Sequence, residues 1–356
     1  MPLCTDNFIS AHMVCTNTHF LLNPSKVHYQ FVSAGHIHGV LWIALEKFVE
    51  VQNAIFNNAN FNEIQKAFKS VNNDEIPSDE HRQVLQDFAD LLMSCSLKTP
   101  GGRIASEVCR HHHTKTCHKY NTNCRFGFPR YVSPNTLLSV PAKILYPDIQ
   151  EREKILDKVN QVLEKVKNIL ENEDAMKELC SIYKHDIDFH LAHLATLETE
   201  EDEQKYLHSK SEDIKFWRRQ RIIETLKKAQ IEEILGIDQS LPDDIREDIL
   251  LEEYAEILKV STGGGYSIVL ARDVDEIYIN NYNEEWQRAW DGNMDIQMTT
   301  TFHAIVTYIT DYTMKVSFLA IHFIIFWRDP SLGEPPLEAD LFVCPTVPLS
   351  VCGYLA

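Results

Sequence analysis

Glycine is scarce: the chain has 12 in 356 residues. That shortage argues against a glycine-rich β architecture and leans towards helix. Long apolar runs are missing too. The longest, Phe318 to Trp327, is broken by His322 and is shorter than the ~20 residues a membrane-spanning helix needs. Met1 to Asn23 has no basic leader followed by a sustained apolar run, so no signal peptide is expected. There is no G-x-x-x-x-G-K-[ST], hence no Walker A phosphate loop. No internal repeat or low-complexity run interrupts the chain. Nine cysteines are an odd count in a chain too long to need a disulfide scaffold. Six of them (Cys4, Cys15, Cys95, Cys180, Cys344 and Cys352) are scattered, which predicts inert thiols in a reducing, intracellular compartment. Positive charge is also in deficit. With 34 Lys and Arg against 52 Asp and Glu, the net charge is −18, which taken whole argues against a nucleic-acid partner.

What is present describes a folded chain. A hydrophobic fraction of 44% with 24% charged residues excludes a wholly disordered protein. Val27 to Ser33 and Gly39 to Leu45 read as short strands, and Glu46 to Leu97 as largely helical, with Val84, Leu85, Phe88, Leu91 and Leu92 at helical spacing. Thr99-Pro100-Gly101-Gly102 reads as a break. The prolines from Pro129 to Pro147 suggest an extended linker. Glu151 to Leu170 is a strongly amphipathic helix, and helical pattern resumes over Glu212–Leu235 and Ile245–Leu258. Ser261 to Gly265 is a turn, Ser267–Asp273 and Glu276–Tyr282 read as a hairpin pair, and Thr300–Lys315 as a helix.

Four segments carry chemistry. In Gly35-His36-Ile37-His38-Gly39, two histidines at i and i+2 on a strand share a face and can present two imidazoles to one divalent ion. In Tyr308-Ile309-Thr310-Asp311-Tyr312, two tyrosines at i and i+4 stack on one helix face. The segment Cys109-Arg110-His111-His112-His113-Thr114-Lys115-Thr116-Cys117, followed by Cys124-Arg125-Phe126-Gly127-Phe128-Pro129, mixes thiols and imidazoles as structural zinc requires. His111, His113, Cys117 and Cys124 make one four-ligand set, and Cys109 can replace either histidine. Around them, Gly101 to Tyr131 holds six basic residues (Arg103, Arg110, Lys115, Lys119, Arg125 and Arg130) and one acid, Glu107, a local charge of +5 that suits phosphate. The fourth segment, Asn280-Asn281-Tyr282-Asn283 to Asn293-Met294-Asp295-Ile296-Gln297, reads as a turn network whose amides satisfy backbone groups.

In their order and wording these four segments resemble the Helitron family of rolling-circle transposases, in the replication-initiator (Rep) nuclease part. That family carries a His-x-His (HUH) strand, an H-x-H-T-x-x-C…C-R-F-G-F-P segment, an N-N-Y-N…N-M-D-I-Q segment and a Y-x-x-x-Y pair followed by lysine. The resemblance runs from about Val27 to Lys315. It implies an endonuclease that nicks and rejoins single-stranded DNA through a 5′-phosphotyrosine. His36 and His38 would hold Mg²⁺ or Mn²⁺, with Gln30 as third ligand and His28, Asp295 or Gln297 as alternatives. Tyr308 and Tyr312 would be the nucleophiles, and Lys315 would stabilise phosphate or phenolate charge. Lys115, Lys119, Arg125 and Arg130 would contact DNA. Where the family has lysine before the second tyrosine, this chain has Asp311, an acid that disfavours a phenolate. The wording after Lys315 leaves the family's pattern, and the fused helicase is not found. The expectation is therefore a Rep nuclease without its helicase, or alternatively a catalytically inactive DNA-binding remnant. A eukaryotic transposon protein of this kind would be nuclear.

The implied fold is α+β: an antiparallel sheet bearing the H-x-H motif, a large helical insertion and a small Cys/His zinc-like segment. The expected divisions are 1–26 as a divergent N-terminal segment, 27–98 as the first nuclease part and 99–135 as the Cys/His segment. They continue with 136–260 as linker and helical insertion, 261–315 as the second nuclease part and 316–356 as a divergent tail. Residues 151 to 260 hold 28 acids against 17 bases, so −11 of the −18 sits on the insertion. Resolved by segment, the charge no longer excludes nucleic acid.

Overall fold

The computed structural model describes residues 9–15, 37–43, 61–73, 75–115, 117, 124–263, 265–290, 292–298 and 321–327. The chain divides into two units, Met1–Gln65 with Gln297–Ala356, and Lys66–Ile296. The fold is α+β, mostly helical, with small mixed sheets.

In the first unit, strand β1 (Ile9–Cys15) pairs antiparallel with β2 (Ile37–Ile43), and β2 pairs parallel with a late strand, Ile321–Trp327. The strand carrying His38 thus lies between an antiparallel and a parallel neighbour, not in a purely antiparallel pairing. The expected strand Val27–Ser33 and the expected helix Thr300–Lys315 lie outside the described residues.

The second unit is built from helices whose burial follows their sequence period. Helices α1 (Phe61–Asn72) and α2 (Asp79–Leu92) occupy the region read as largely helical. The Thr-Pro-Gly-Gly break does more than end a helix: it starts α3 (Pro100–Val108). Thr99 Oγ1 accepts from the Gly102 N–H at 3.1 Å, and Pro100 takes the first turn, where no amide donor is needed. A Cβ at Gly102 would run into the Ser96 carbonyl oxygen, so glycine allows this close approach.

The proline-rich stretch is not an extended linker. Its centre is strand β3 (Leu137–Pro141), buried along its length. After it come helices α4 (Ala142–Leu145), α5 (Ile149–Glu171), α6 (Glu173–Ser181), α7 (Lys184–Leu194), α8 (Glu200–Ala229), α9 (Glu232–Leu235) and α10 (Asp243–Leu258), then strands β4 (Val260–Ser261) and β5 (Ser267–Val269). β3 is the middle strand of three, parallel to β4 and antiparallel to β5. Pro134 precedes the strand and Pro141 ends it, so neither removes an interior ladder donor.

Asp148 caps α5 by accepting from the Glu151 N–H at 2.8 Å, and Val159, Val162, Val166 and Leu170 make its buried stripe. These pack with Ile222, Ile223 and Leu226 of α8 and Leu250, Tyr254 and Ile257 of α10 in one apolar core. Val132, Leu137, Val260 and Ile277 join the same core, which joins the insertion to the segments that flank it. Tyr254 is wholly buried; its hydroxyl donates to the Val132 carbonyl at 3.0 Å, and burial holds its pKa above the usual phenol value. In α8 no residue before Trp217 is buried, and its first turns are acidic, with Glu203 paired to Arg288 and Tyr206 stacked on His190.

The expected hairpin is also absent. β5 pairs with β3, and the following residues form a 3₁₀ turn, Val274–Glu276, closed by a capping box between Asp273 and Glu276. Beyond it, single bridges join Arg272 to Ser133, Ile279 to Arg110 and Tyr282 to Ser94. A buried ion network explains why a turn wins here. Lys98 Nζ lies 2.9 Å from Asp273, 2.5 Å from Asp275 and 2.9 Å from Glu276. Arg221 of α8 reaches Asp273 at 3.1 Å and Asp275 at 2.9 Å, and donates to the Ile182 and Cys180 carbonyls. Burial pushes the Asp275 pKa up, and Lys98 and Arg221 more than offset that, holding it below the usual carboxylate value. Such a network is costly to break from one side, about 3–5 kcal/mol, because the remaining charges stay buried.

Candidate metal centre

The segment Cys109–Arg130 leaves α3 and is strapped to the chain after the 3₁₀ turn. The His111 N–H donates to the Tyr278 carbonyl at 2.7 Å, the Asn280 N–H to the Cys109 carbonyl at 2.9 Å, and the Arg130 N–H to the Ile277 carbonyl at 2.8 Å. Both ends of the segment are thus fixed to one strip, Ile277–Asn280. Between them, four side chains converge. His111, His113, Cys117 and Cys124 each offer one ligand atom, and all four atoms lie within 4.8 Å of one another. Cys117 Sγ is 3.5 Å from His113 Nδ1, and Cys124 Sγ is 3.4 Å from His111 Nε2.

Those two separations test the fit. With Zn–S near 2.3 Å and Zn–N near 2.0–2.1 Å, the edge of a tetrahedral site between sulfur and nitrogen is about 3.6 Å. Two of the six edges are therefore already at zinc spacing, and the four ligand atoms could hold a metal such as zinc. Two thiolates would balance the charge of a divalent ion, and four protein ligands would leave no open position, as in structural centres.

The surroundings support the ligands. The Thr114 N–H points to Cys117 Sγ at 3.2 Å. The Arg125 N–H donates to the Cys117 carbonyl at 3.0 Å, and the Gly127 N–H to the Cys124 carbonyl at 2.9 Å. Cys117 and Cys124 are buried with Phe128, and Phe126 and Tyr278 pack on them from the outside. Phe128 stacks on the His111 ring, centroids 4.4 Å apart and planes 9° apart, while Tyr278 meets His113 edge-on at 5.7 Å. Tyr278 arrives from far along the chain, and nothing local to it in the sequence signals this role.

Cys109 does not join the centre. Its thiol is buried against Gln287 Oε1 at 3.3 Å, and burial pushes its pKa up to about 11. Of the ligand sets open in the sequence, the one with both histidines is the one brought together. Cys95 is likewise buried, with its pKa raised to about 11 by burial, as an inert thiol should be.

The basic residues around the centre differ in exposure. Lys115 and Arg125 are exposed, Arg130 is half-buried over the Phe128 ring at 4.8 Å, and Lys119 lies outside the described residues. Burial lowers the Arg130 pKa from its ordinary value, and the nearby Asp295 acts against that. Asp295 is itself buried.

The amide-rich segment behaves as its composition predicts. Asn280 Nδ2 donates to Asn293 Oδ1 at 2.9 Å, Asn281 Nδ2 to the Ile296 carbonyl at 3.2 Å, and Asn283 Nδ2 to the Leu92 carbonyl at 3.0 Å. Asn283 Oδ1 accepts from the Trp286 N–H at 3.1 Å, capping helix α11 (Glu284–Trp290).

His28, Gln30, His36, Tyr308, Tyr312 and Lys315 lie outside the described residues. His38 is on β2, in backbone register with Val14 on one neighbour and His322 on the other. In the sequence, His322 shows only as an interruption of the apolar run Phe318 to Trp327. Strand β6 (Met294–Met298), at the end of the amide segment, follows α11, and the late strand Ile321–Trp327, which carries His322, is β7. No helix among the described residues is long and apolar enough to cross a membrane.

Compared with protein-family models, with curated proteins and with solved structures, the chain gives no match.

Proposed function

We propose that this chain is a Helitron-like Rep endonuclease acting on single-stranded DNA, with a structural Zn²⁺ in its Cys/His segment. The observation that supports this reading is the convergence of His111, His113, Cys117 and Cys124. These residues lie in one of the segments that resemble the family, Cys124 in its near-verbatim part, and they would form a closed four-ligand set beside exposed Lys115 and Arg125.

In this reading the phenol oxygen of Tyr308 or Tyr312 attacks a DNA phosphorus. The bond from phosphorus to the 3′ oxygen breaks, that oxygen takes a proton, and the 5′ phosphate stays on the tyrosine. Two tyrosines allow two such junctions in turn, one for cleavage and one for transfer. His36 and His38, with Gln30, are the residues that would hold Mg²⁺ or Mn²⁺, which supplies polarisation of the phosphodiester. Lys315 would offset negative charge on phosphate. The nuclear compartment and the single-stranded DNA partner belong to the same proposal.

The test is purified protein with Mn²⁺ and end-labelled single-stranded DNA. A covalent protein–DNA adduct, lost in the Tyr308→Phe/Tyr312→Phe double variant, is the expected result. Absence of an adduct with Mg²⁺ and with Mn²⁺ overturns the nuclease reading and leaves a DNA-binding remnant, the outcome that Asp311 beside Tyr312 favours.

A further inference from the structure

The two phenylalanines of Arg125-Phe126-Gly127-Phe128-Pro129-Arg130 are held differently. Phe128 is 2% exposed and stacked on a ligand histidine. Phe126 is only partly buried: its ring meets the His111 edge at 5.6 Å, and the exposed Arg125 guanidinium lies over it at 4.5 Å. The turn that presents it is fixed at both ends by the carbonyls of the two ligand cysteines, which accept from the Arg125 and Gly127 N–H groups. Gly127 is exposed, at φ 74°, where it adds no side chain beside the ring. Exposed His112 and Lys115 belong to the same segment.

We infer that Phe126 and Arg125 form a base-stacking platform for single-stranded nucleic acid, presented by the metal centre. An aromatic face and a planar cation, layered and rigidly held at a basic surface, provide the two elements of single-strand binding: stacking and phosphate attraction. A duplex hides its base faces and cannot use such a platform. This deepens the reading above and rests on it for the partner, but not for the chemistry of cleavage. Phe126 is a binding residue here, distinct from the tyrosines.

The test uses the full, zinc-loaded chain and fluorescence anisotropy with a short fluorescein-labelled oligothymidylate, with oligouridylate and a matched duplex beside it. Phe126→Ala should weaken single-strand binding about tenfold, with zinc content unchanged, and Phe126→Tyr should restore it. Phe126→Trp should bind as wild type, and its added indole emission, taken as the difference from wild type, should be quenched on saturation. Binding of either single strand in this pattern supports the platform. Unchanged affinity in Phe126→Ala, an unquenched Phe126→Trp, or duplex bound as tightly as single strand overturns it. If Phe126→Ala loses zinc, the quenching of Phe126→Trp decides. Failure of the wild type to bind any single strand overturns the DNA reading as well. Wild-type binding that ignores Phe126 removes only the platform.

Discussion

The segment from Gly101 to Tyr131 and the helical insertion from Glu151 to Leu258 are held by different physics. The first carries a charge of +5, has few apolar side chains inside it, and gathers two thiols and two imidazoles to a point. The second is acidic, and its order comes from a conventional apolar core of α5, α8 and α10. They are joined through Tyr131, which packs on that core, and indirectly through the strip Ile277–Asn280, to which the segment is hydrogen-bonded and which follows the 3₁₀ turn that Arg221 of the insertion reaches. A small, polar, basic loop buries little apolar surface, so a metal held by the four ligands would take the place of a core. A long acidic insertion can hold itself, and its solvated charge need not face a nucleic acid.

Cys124→Ser should abolish stoichiometric zinc and raise amide hydrogen exchange over 109–130, while exchange in α5 and α10 stays at wild-type levels. The effect is large because structural zinc sites contribute on the order of 10–16 kcal/mol of apparent binding free energy. Equal loss of protection in the insertion would show that the two regions are one cooperative unit. From the junction, Arg221→Ala should destabilise the insertion by about 3 kcal/mol in denaturant titration, because it leaves Asp273, Asp275 and Glu276 facing Lys98 without the guanidinium that shares their charge. Within the insertion, Leu226→Ala should cost about 3 kcal/mol and leave zinc content unchanged.

Acid offers a finer probe of the junction. The Asp275 pKa lies below its unfolded value, so its stabilising contribution is complete above about pH 4 and is lost as pH falls through the folded value. Stability should fall on acidification below about pH 4, and Asp275→Asn should flatten that fall. The smallest effect belongs to the exposed start of α8. Thr199→Ala removes the acceptor for the Asp202 N–H, 3.1 Å away, and should cost about 1 kcal/mol or less.

Local signals were readable in the chain and distant ones were not. The helix at Glu151–Leu170 was legible because Val159, Val162, Val166 and Leu170 repeat at the helical period, and the structure extends it by only a residue or two at each end. The ligand set was legible because four soft and imidazole donors fall within one short segment. The choice of His111 and His113 over Cys109 was not, because Gln287, which claims the Cys109 thiol, lies far along the chain. Strand β3 was hidden by its flanking prolines, and its partners, near Val260 and Ile268, are remote in sequence. The false hairpin has the same origin: alternation at Ser267–Tyr282 suggested two paired strands, while Lys98 and Arg221 draw the acids between them into a buried turn.

The most direct test is X-ray absorption at the zinc edge on the full chain purified with zinc. The expected result is one bound ion with two sulfur neighbours near 2.3 Å and two nitrogen neighbours near 2.0–2.1 Å, and loss of one sulfur neighbour or of the ion in Cys117→Ser. A shell made only of nitrogen and oxygen, or a chain that binds no zinc while Cys117 and Cys124 are reduced, would contradict it.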